Sequence, residues 1–169
     1  VLLKCVDNAV NEGVTVVAAA GNDSLNIDVN RVAPAYYPST IAVSAVDDDE
    51  SLASFSNIGD SIDVAAPGVS VFSAYYEQGS NTSYAYSSGT SMAAPYVSGI
   101  CALILENNPT LTPAEMKRLL QRSARRSNKE RSLSLGFGIV DVQQAYFLLG
   151  TDEYANSNFA TMYGSDGAF

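Results

Sequence analysis

The chain has 169 residues, a length that fits one domain, with 47% hydrophobic and 16% charged residues, so it is globular rather than disordered. A chain of this size buries roughly 70% of its unfolded surface, enough for a true core. Nine basic residues against 18 acidic give a net charge of −9, which argues against a nucleic-acid partner and offers no basic face to anionic lipid. No apolar run reaches transmembrane length, and no signal-peptide pattern is present.

"VLLKCVDNAVNEG" opens the chain with apolar residues at 2, 3, 6, 9 and 10, a helical spacing that Gly13 would end. No capping residue precedes Val1, so the expectation is a helix that starts upstream and a chain that is the C-terminal part of something longer. "VTVVAAAGND" reads as a buried strand ending in Gly-Asn, and "TIAVSAV" (40–46) as a second. "DDDE" (47–50) reads as a solvated turn in preference to a calcium loop. "SIDVAAPG" and "VSVFSAY" are short strands split by Pro67-Gly68, "EQGSNTS" is a polar loop, and "SYAYSS" is a candidate strand.

From Ser91 to about Asn107 the pattern is helical, with no charge before Glu106, which predicts a core helix. Thr112, Pro113 and Glu115 stand in capping-box order before an amphipathic helix. "GFGIVDVQQAYFLLG" predicts an extended piece and a last helix, and the polar tail from Thr151 is expected to be loose. This order of elements suggests an α/β fold with a parallel sheet and helical crossovers. Cys5 and Cys101 both fall in predicted helices and read as two buried free thiols, with a single long-loop disulfide left open. Neither has the partners of a zinc site. Asn81-Thr82-Ser83 and Asn22-Asp23-Ser24 are glycosylation sequons, and a glycan on Asn22 would block the site described next.

Ser91 lies in the first turn of the predicted core helix, where unpaired N–H groups and a partial positive charge favour a negative oxygen. A serine there can attack a carbonyl while its own N–H helps to hold the oxyanion. Pro95 removes the helical bond to the Ser91 carbonyl and loosens that turn. Taken alone, a serine before an apolar helix is ordinarily an N-cap. Asn22 follows a buried strand, at the edge where open parallel sheets gather their ligands, and its amide can donate to an oxyanion from the other side. Taken alone, Gly-Asn is a common strand-end turn.

Taken together and in order, these segments resemble the subtilisin-like serine proteases. "GTSMAAP" (89–95) is similar to that family's serine motif and "VVAAAGN" (16–22) to its oxyanion-asparagine strand. "YYPSTIAVSAV" and "FSNIGDSIDVAAPGVSVFSA" resemble its connecting strands, and "LTPAEMKRLL" and "GFGIVDVQQA" its closing helices. The motif is not the G-x-S-x-G elbow of an α/β-hydrolase. The likeness implies that 1–150 is the C-terminal portion of a subtilisin-like peptidase domain, with helices on both faces of the sheet and the N-terminal strands missing, and that 151–169 is a tail. It implies Ser91 as nucleophile and Asn22 as oxyanion donor. Ala18, Ala19, Ala20 and Gly21 would line one wall of the substrate pocket, and Val32 its floor. The carbonyls of Ala35, Tyr37 and Thr40 would form a weak cation site. No cofactor is required, and a structural calcium is the one ion the resemblance admits.

The implied triad runs Asp–His–Ser. Its first two members would lie upstream or in a second chain, because this sequence contains no histidine. Ser91 then has no general base here, and the chain alone is expected to be inactive. Lys4, Lys117 and Lys129 read as surface charge, not as substitute bases. The expected partners are a polypeptide substrate and the segment carrying Asp and His, and secretion follows from the family's habit. The strand at 14–20 would be left as an apolar sheet edge, so the fragment is expected to need that upstream segment for solubility. A second function class stays open: a degenerate, non-catalytic subtilisin-like module that binds a peptide or protein. Retention of both Ser91 and Asn22 favours the enzyme.

Overall fold

A computed structural model describes residues 1–76, 79, 83–125 and 131–150. The expected tail at 151–169, most of the loop at 77–83, the Asn81 sequon and Lys129 lie outside the described residues.

Three strands form a parallel sheet in the order β1-β2-β3, where β1 is Val17–Ala19, β2 is Ile41–Val46 and β3 is Val64–Pro67. Every residue of β2 is buried, Ser44 among its five apolar residues included, as befits a strand paired on both sides. The register sets Val17 against Ile41 and Val43 against Val64. Side chains alternate between two cores. Ile41, Val43, Ala45, Val64 and Ala66 face the larger one, which α3 (Thr90–Asn107), α4 (Pro113–Ser123) and α5 (Val142–Leu149) cover. Ala18 and Ala42 face a smaller one, closed by Ile27 of the short α2 (Ile27–Asn30) together with Val32, Ala35 and Ile62. Helices therefore stand on both faces of the sheet.

Several sequence expectations need correction. β1 is three residues long and only half-buried, because among the described residues it pairs with β2 alone and forms the sheet's edge. The crossovers are not long helices: the only helix between β1 and β2 is the four-residue α2, and none lies between β2 and β3. The strands β4 (Val71–Tyr75) and β5 (Ser83–Ser87) leave the parallel sheet and pair with each other as an antiparallel ribbon. The ribbon exposes a cluster of rings, Phe72 stacked with Tyr84 and tilted against Tyr86.

The helix α3 is not enclosed all round. Ala93, Val97, Cys101 and Ile104 make one buried stripe on the sheet, while Leu103, on the other side, is 50% exposed. Both cysteines are free, but only Cys101 is buried. Burial pushes its thiol up to about 11, so it is an unreactive core residue. Cys5, on α1 (Leu2–Asn11), is exposed. Elsewhere the local rules hold. Gly13 ends α1 at φ +89°, and Thr112 with Glu115 closes a full capping box on α4. The Asp47 carboxylate closes the 47–51 turn by accepting from the Asp49 and Ser51 N–H groups.

Candidate active site

The site is built where the strands end. In a parallel sheet the carboxyl ends of neighbouring strands point the same way, so the segments leaving β1, β2 and β3 meet at one edge. Gly68, just past β3, donates to the Val46 carbonyl at the end of β2 and accepts from the Gly89 N–H, 2.8 Å away. Only glycine permits this approach: a Cβ on Gly68 would lie 2.6 Å from the Ala45 Cβ and 2.9 Å from the Gly89 carbonyl oxygen. The positive end of α3 is thereby seated over the strand ends.

Leaving β1, the chain turns at Gly21 with φ +99° and reaches Asn22. A Cβ on Gly21 would stand 2.4 Å from the Asn57 amide nitrogen. Asn57 is fully buried and holds this turn from three sides. Its Nδ2 donates to the Ala20 carbonyl at 2.8 Å, and its Oδ1 accepts from Asp23 and Leu25 N–H at 3.0 and 2.8 Å.

Thr90 joins the two halves. It is fully buried, and its hydroxyl accepts from the Gly21 N–H and donates to the Asn22 Oδ1, both at 3.0 Å. Its backbone N–H donates to the same Asn22 oxygen at 2.8 Å. Because a backbone N–H must meet an acceptor, these contacts fix which end of the Asn22 amide is oxygen. Nδ2 is left as the free end, beside Gly89, and takes no acceptor among the described residues. Gly89 occupies the N-cap position of α3, so Ser91 is the second helical residue and not a cap. Ser91 is exposed, and neither its hydroxyl nor its N–H has a hydrogen-bond partner among the described residues. Two uncommitted donors, Asn22 Nδ2 and Ser91 N–H, thus stand at one helix tip next to an exposed hydroxyl. That arrangement suits an anionic oxygen.

The other expected site residues divide. Ala18 and Ala20 turn into the smaller core, while Ala19 and Gly21 stay half-exposed. Val32 packs against Gly21, its Cγ1 3.7 Å from where a Gly21 Cβ would lie. Ala35, Tyr37 and Thr40 are all buried, but two of the three carbonyls expected to hold a cation, those of Tyr37 and Thr40, already have donors. The Tyr37 carbonyl accepts from the Thr40 N–H and hydroxyl, at 3.1 and 3.0 Å, and the Thr40 carbonyl accepts from the Lys117 ammonium at 2.7 Å. A metal does not fit this set as it stands. Lys117 is likewise no base for Ser91, since its ammonium is bound to two carbonyls and Asp63.

Sequence reasoning missed Thr90 and Asn57. Thr90 stands inside the quoted serine motif, and a buried threonine next to a helix start was the available signal. Asn57 gave no local signal, because its partners lie 32 to 37 residues away.

The subtilase family model matches residues 3–139. Subtilisin DY of Bacillus licheniformis is 44% identical over 145 residues, 85% of this chain and 51% of that protein. The extracellular protease of Xanthomonas campestris pv. campestris is 43% identical over 83% of this chain and 24% of its own length. Among solved structures, a protease of Pseudoalteromonas arctica superposes with a TM-score of 0.77 at 36% identity, covering 86% of this chain and 46% of that one. The chain therefore spans about half, or less, of the proteins it matches. With the family model matching most of its length and this geometry at its strand ends, the chain belongs to the subtilase family.

Proposed function

We propose that the protein to which this chain belongs is a serine endopeptidase that cleaves polypeptides through an acyl-enzyme on Ser91. The observation that carries this reading is the pair of unspent donors, Asn22 Nδ2 and Ser91 N–H, on a turn and a helix start that Thr90 ties together. In the proposed reaction Ser91 Oγ attacks the scissile carbonyl carbon and passes its proton to a histidine outside this chain. The carbonyl oxygen becomes the oxyanion and is held by the two donors. Collapse expels the amine, which takes the proton back from that histidine, and water then releases the acyl group by the same steps. Asp and His are supplied by an upstream segment or a second chain, so these residues alone are inactive. Ala19, Gly21 and Val32 flank the residue before the scissile bond.

Secretion is the matching location. It is supported by relatives such as the Xanthomonas extracellular protease. Among the described residues no helix is long and apolar enough to cross a membrane.

A fluorophosphonate probe applied to the full-length protein tests the reading. Covalent labelling mapped to the Ser91 peptide is the expected result, because the probe needs both an activated serine and an oxyanion pocket. A folded, full-length sample that stays unlabelled would instead favour the non-catalytic, peptide-binding module.

A further inference from the structure

The turn from Pro34 to Thr40 is wound around polar atoms that face inward. The Thr40 hydroxyl reaches the Pro34 and Tyr37 carbonyls at 3.1 and 3.0 Å, and the Tyr37 N–H donates to the Pro34 carbonyl at 2.9 Å. The Pro38 and Thr40 carbonyls point at one place, and the Lys117 Nζ fills it, 3.0 and 2.7 Å from them. Asp63 Oδ2 lies 3.0 Å from the same nitrogen. Asp63 is buried and fully engaged, accepting also from the Ala42 N–H at 2.8 Å and the Gln121 amide at 2.7 Å. Two carbonyl dipoles and one carboxylate converging on a point are what a small monovalent cation asks of a protein. Here an ammonium on α4 meets that demand. A second cation a few ångströms away would be repelled by the ammonium already there.

We propose that the Lys117 ammonium is the resident cation of the 34–40 turn, standing in for a metal ion, and that through this turn it positions Val32 at the substrate pocket. The turn begins two residues after Val32, whose N–H is tied to the Ile27 carbonyl and whose own carbonyl accepts from the Tyr36 N–H. A shift of the turn therefore moves Val32 directly. The part concerning substrate rests on the peptidase reading; the part concerning the cation does not. Lys117 also lines an open cavity of about 380 Å³ together with Val10, Pro38 and Ser39, so a small cation can reach the position once the side chain is cut back.

The test uses full-length protein carrying Lys117→Ala, Lys117→Gln or Lys117→Arg. Thermal midpoints are measured while potassium or methylammonium chloride is added against choline chloride at equal ionic strength. Lys117→Ala is expected to lose about 5 °C and to regain part of it with potassium or methylammonium. Wild type and Lys117→Arg, which keep a cation in place, are expected not to respond. Equal responses in wild type and Lys117→Ala would overturn the proposal. Lys117→Gln is read in the same way if the alanine variant does not fold. A wild-type crystal soaked in rubidium chloride needs no variant at all, and an anomalous peak on the Thr40 carbonyl would also overturn it. With a peptide substrate, Lys117→Ala is expected to raise KM about tenfold with kcat nearly unchanged, as lost uniform binding does. An unmoved KM would remove the positioning role. Failure of the peptidase reading looks different: an inactive wild type whose cation response still differs from that of Lys117→Ala.

Discussion

Replacing Ser91 with alanine in the full-length protein is expected to lower kcat by about 10⁶-fold, the loss known for the nucleophile of a subtilisin. The change removes one oxygen and nothing else. The Ser91 hydroxyl has no hydrogen-bond partner among the described residues and its side chain is exposed, so no packing and no network is lost with it. Stability should therefore stay within about 0.5 kcal/mol of wild type, as for other surface substitutions. That pairing separates a nucleophile from a structural serine: a helix cap would cost about 1 kcal/mol of stability and leave the rate alone. The N-cap position belongs to Gly89, which makes the structural alternative weaker still. Some catalysis should survive, about 10³–10⁴ over water, because the oxyanion donors still act on a bound substrate attacked by water. Kinetics with a chromogenic peptide and a thermal melt on the same sample are the two measurements. A variant with near wild-type kcat would assign the nucleophile elsewhere.

The parts of this molecule that could be read from its sequence are those whose physics is local. β2 announces itself as six residues of which five are apolar, interrupted by Ser44, and the structure buries all six. The capping box at Thr112 and Glu115 needs only four residues to be recognised, and it forms as written. Ser91 and Asn22 were legible because each sits at a break in a strong pattern, one at a helix start and one at a strand end. The failures have physical causes too. An apolar helix was expected to be enclosed, but the pattern says nothing of how many neighbours cover it, and α3 has the sheet on one side only. Cys5 was expected to be buried, but α1 buries only Val6, so a place on this helix does not enclose the thiol. Thr90 and Asn57 act through hydrogen bonds to residues 32 to 69 positions away. Lys117 reads as the charged face of an amphipathic helix, and nothing local shows that it reaches Pro38 and Thr40. Long-range polar contacts leave no periodic trace, and they are what ties the Asn22 turn to the start of α3.

The donors at the helix tip make the second large prediction. Asn22→Leu removes the side-chain donor while keeping its approximate size, and kcat is expected to fall about 10²–10³-fold, the loss known for one such donor in a subtilisin. KM should change little, because the ground-state carbonyl gains far less from this amide than the developing oxyanion does. Thr90→Val tests how that amide is held. The change deletes the hydroxyl that bridges Gly21 and Asn22, but leaves the Thr90 N–H still donating to Asn22 Oδ1. The amide keeps one of its two anchors, so the fall in kcat should be smaller, about tenfold, matching one neutral hydrogen bond of about 1–1.5 kcal/mol. Thr90→Val should also lower stability by about 1–3 kcal/mol, since the Gly21 N–H loses its acceptor in a part-buried place. Asn22→Leu should lower stability by a similar amount, since the N–H and hydroxyl of buried Thr90 lose the Asn22 Oδ1 acceptor, so the two variants should differ in rate and not in melting. The double variant decides whether they act as one unit. If Thr90 works only by aiming Asn22, then adding Thr90→Val to Asn22→Leu should cost no further rate, and the two losses should fail to multiply. Fully multiplicative losses would mean that Thr90 serves the reaction by some route other than the Asn22 amide.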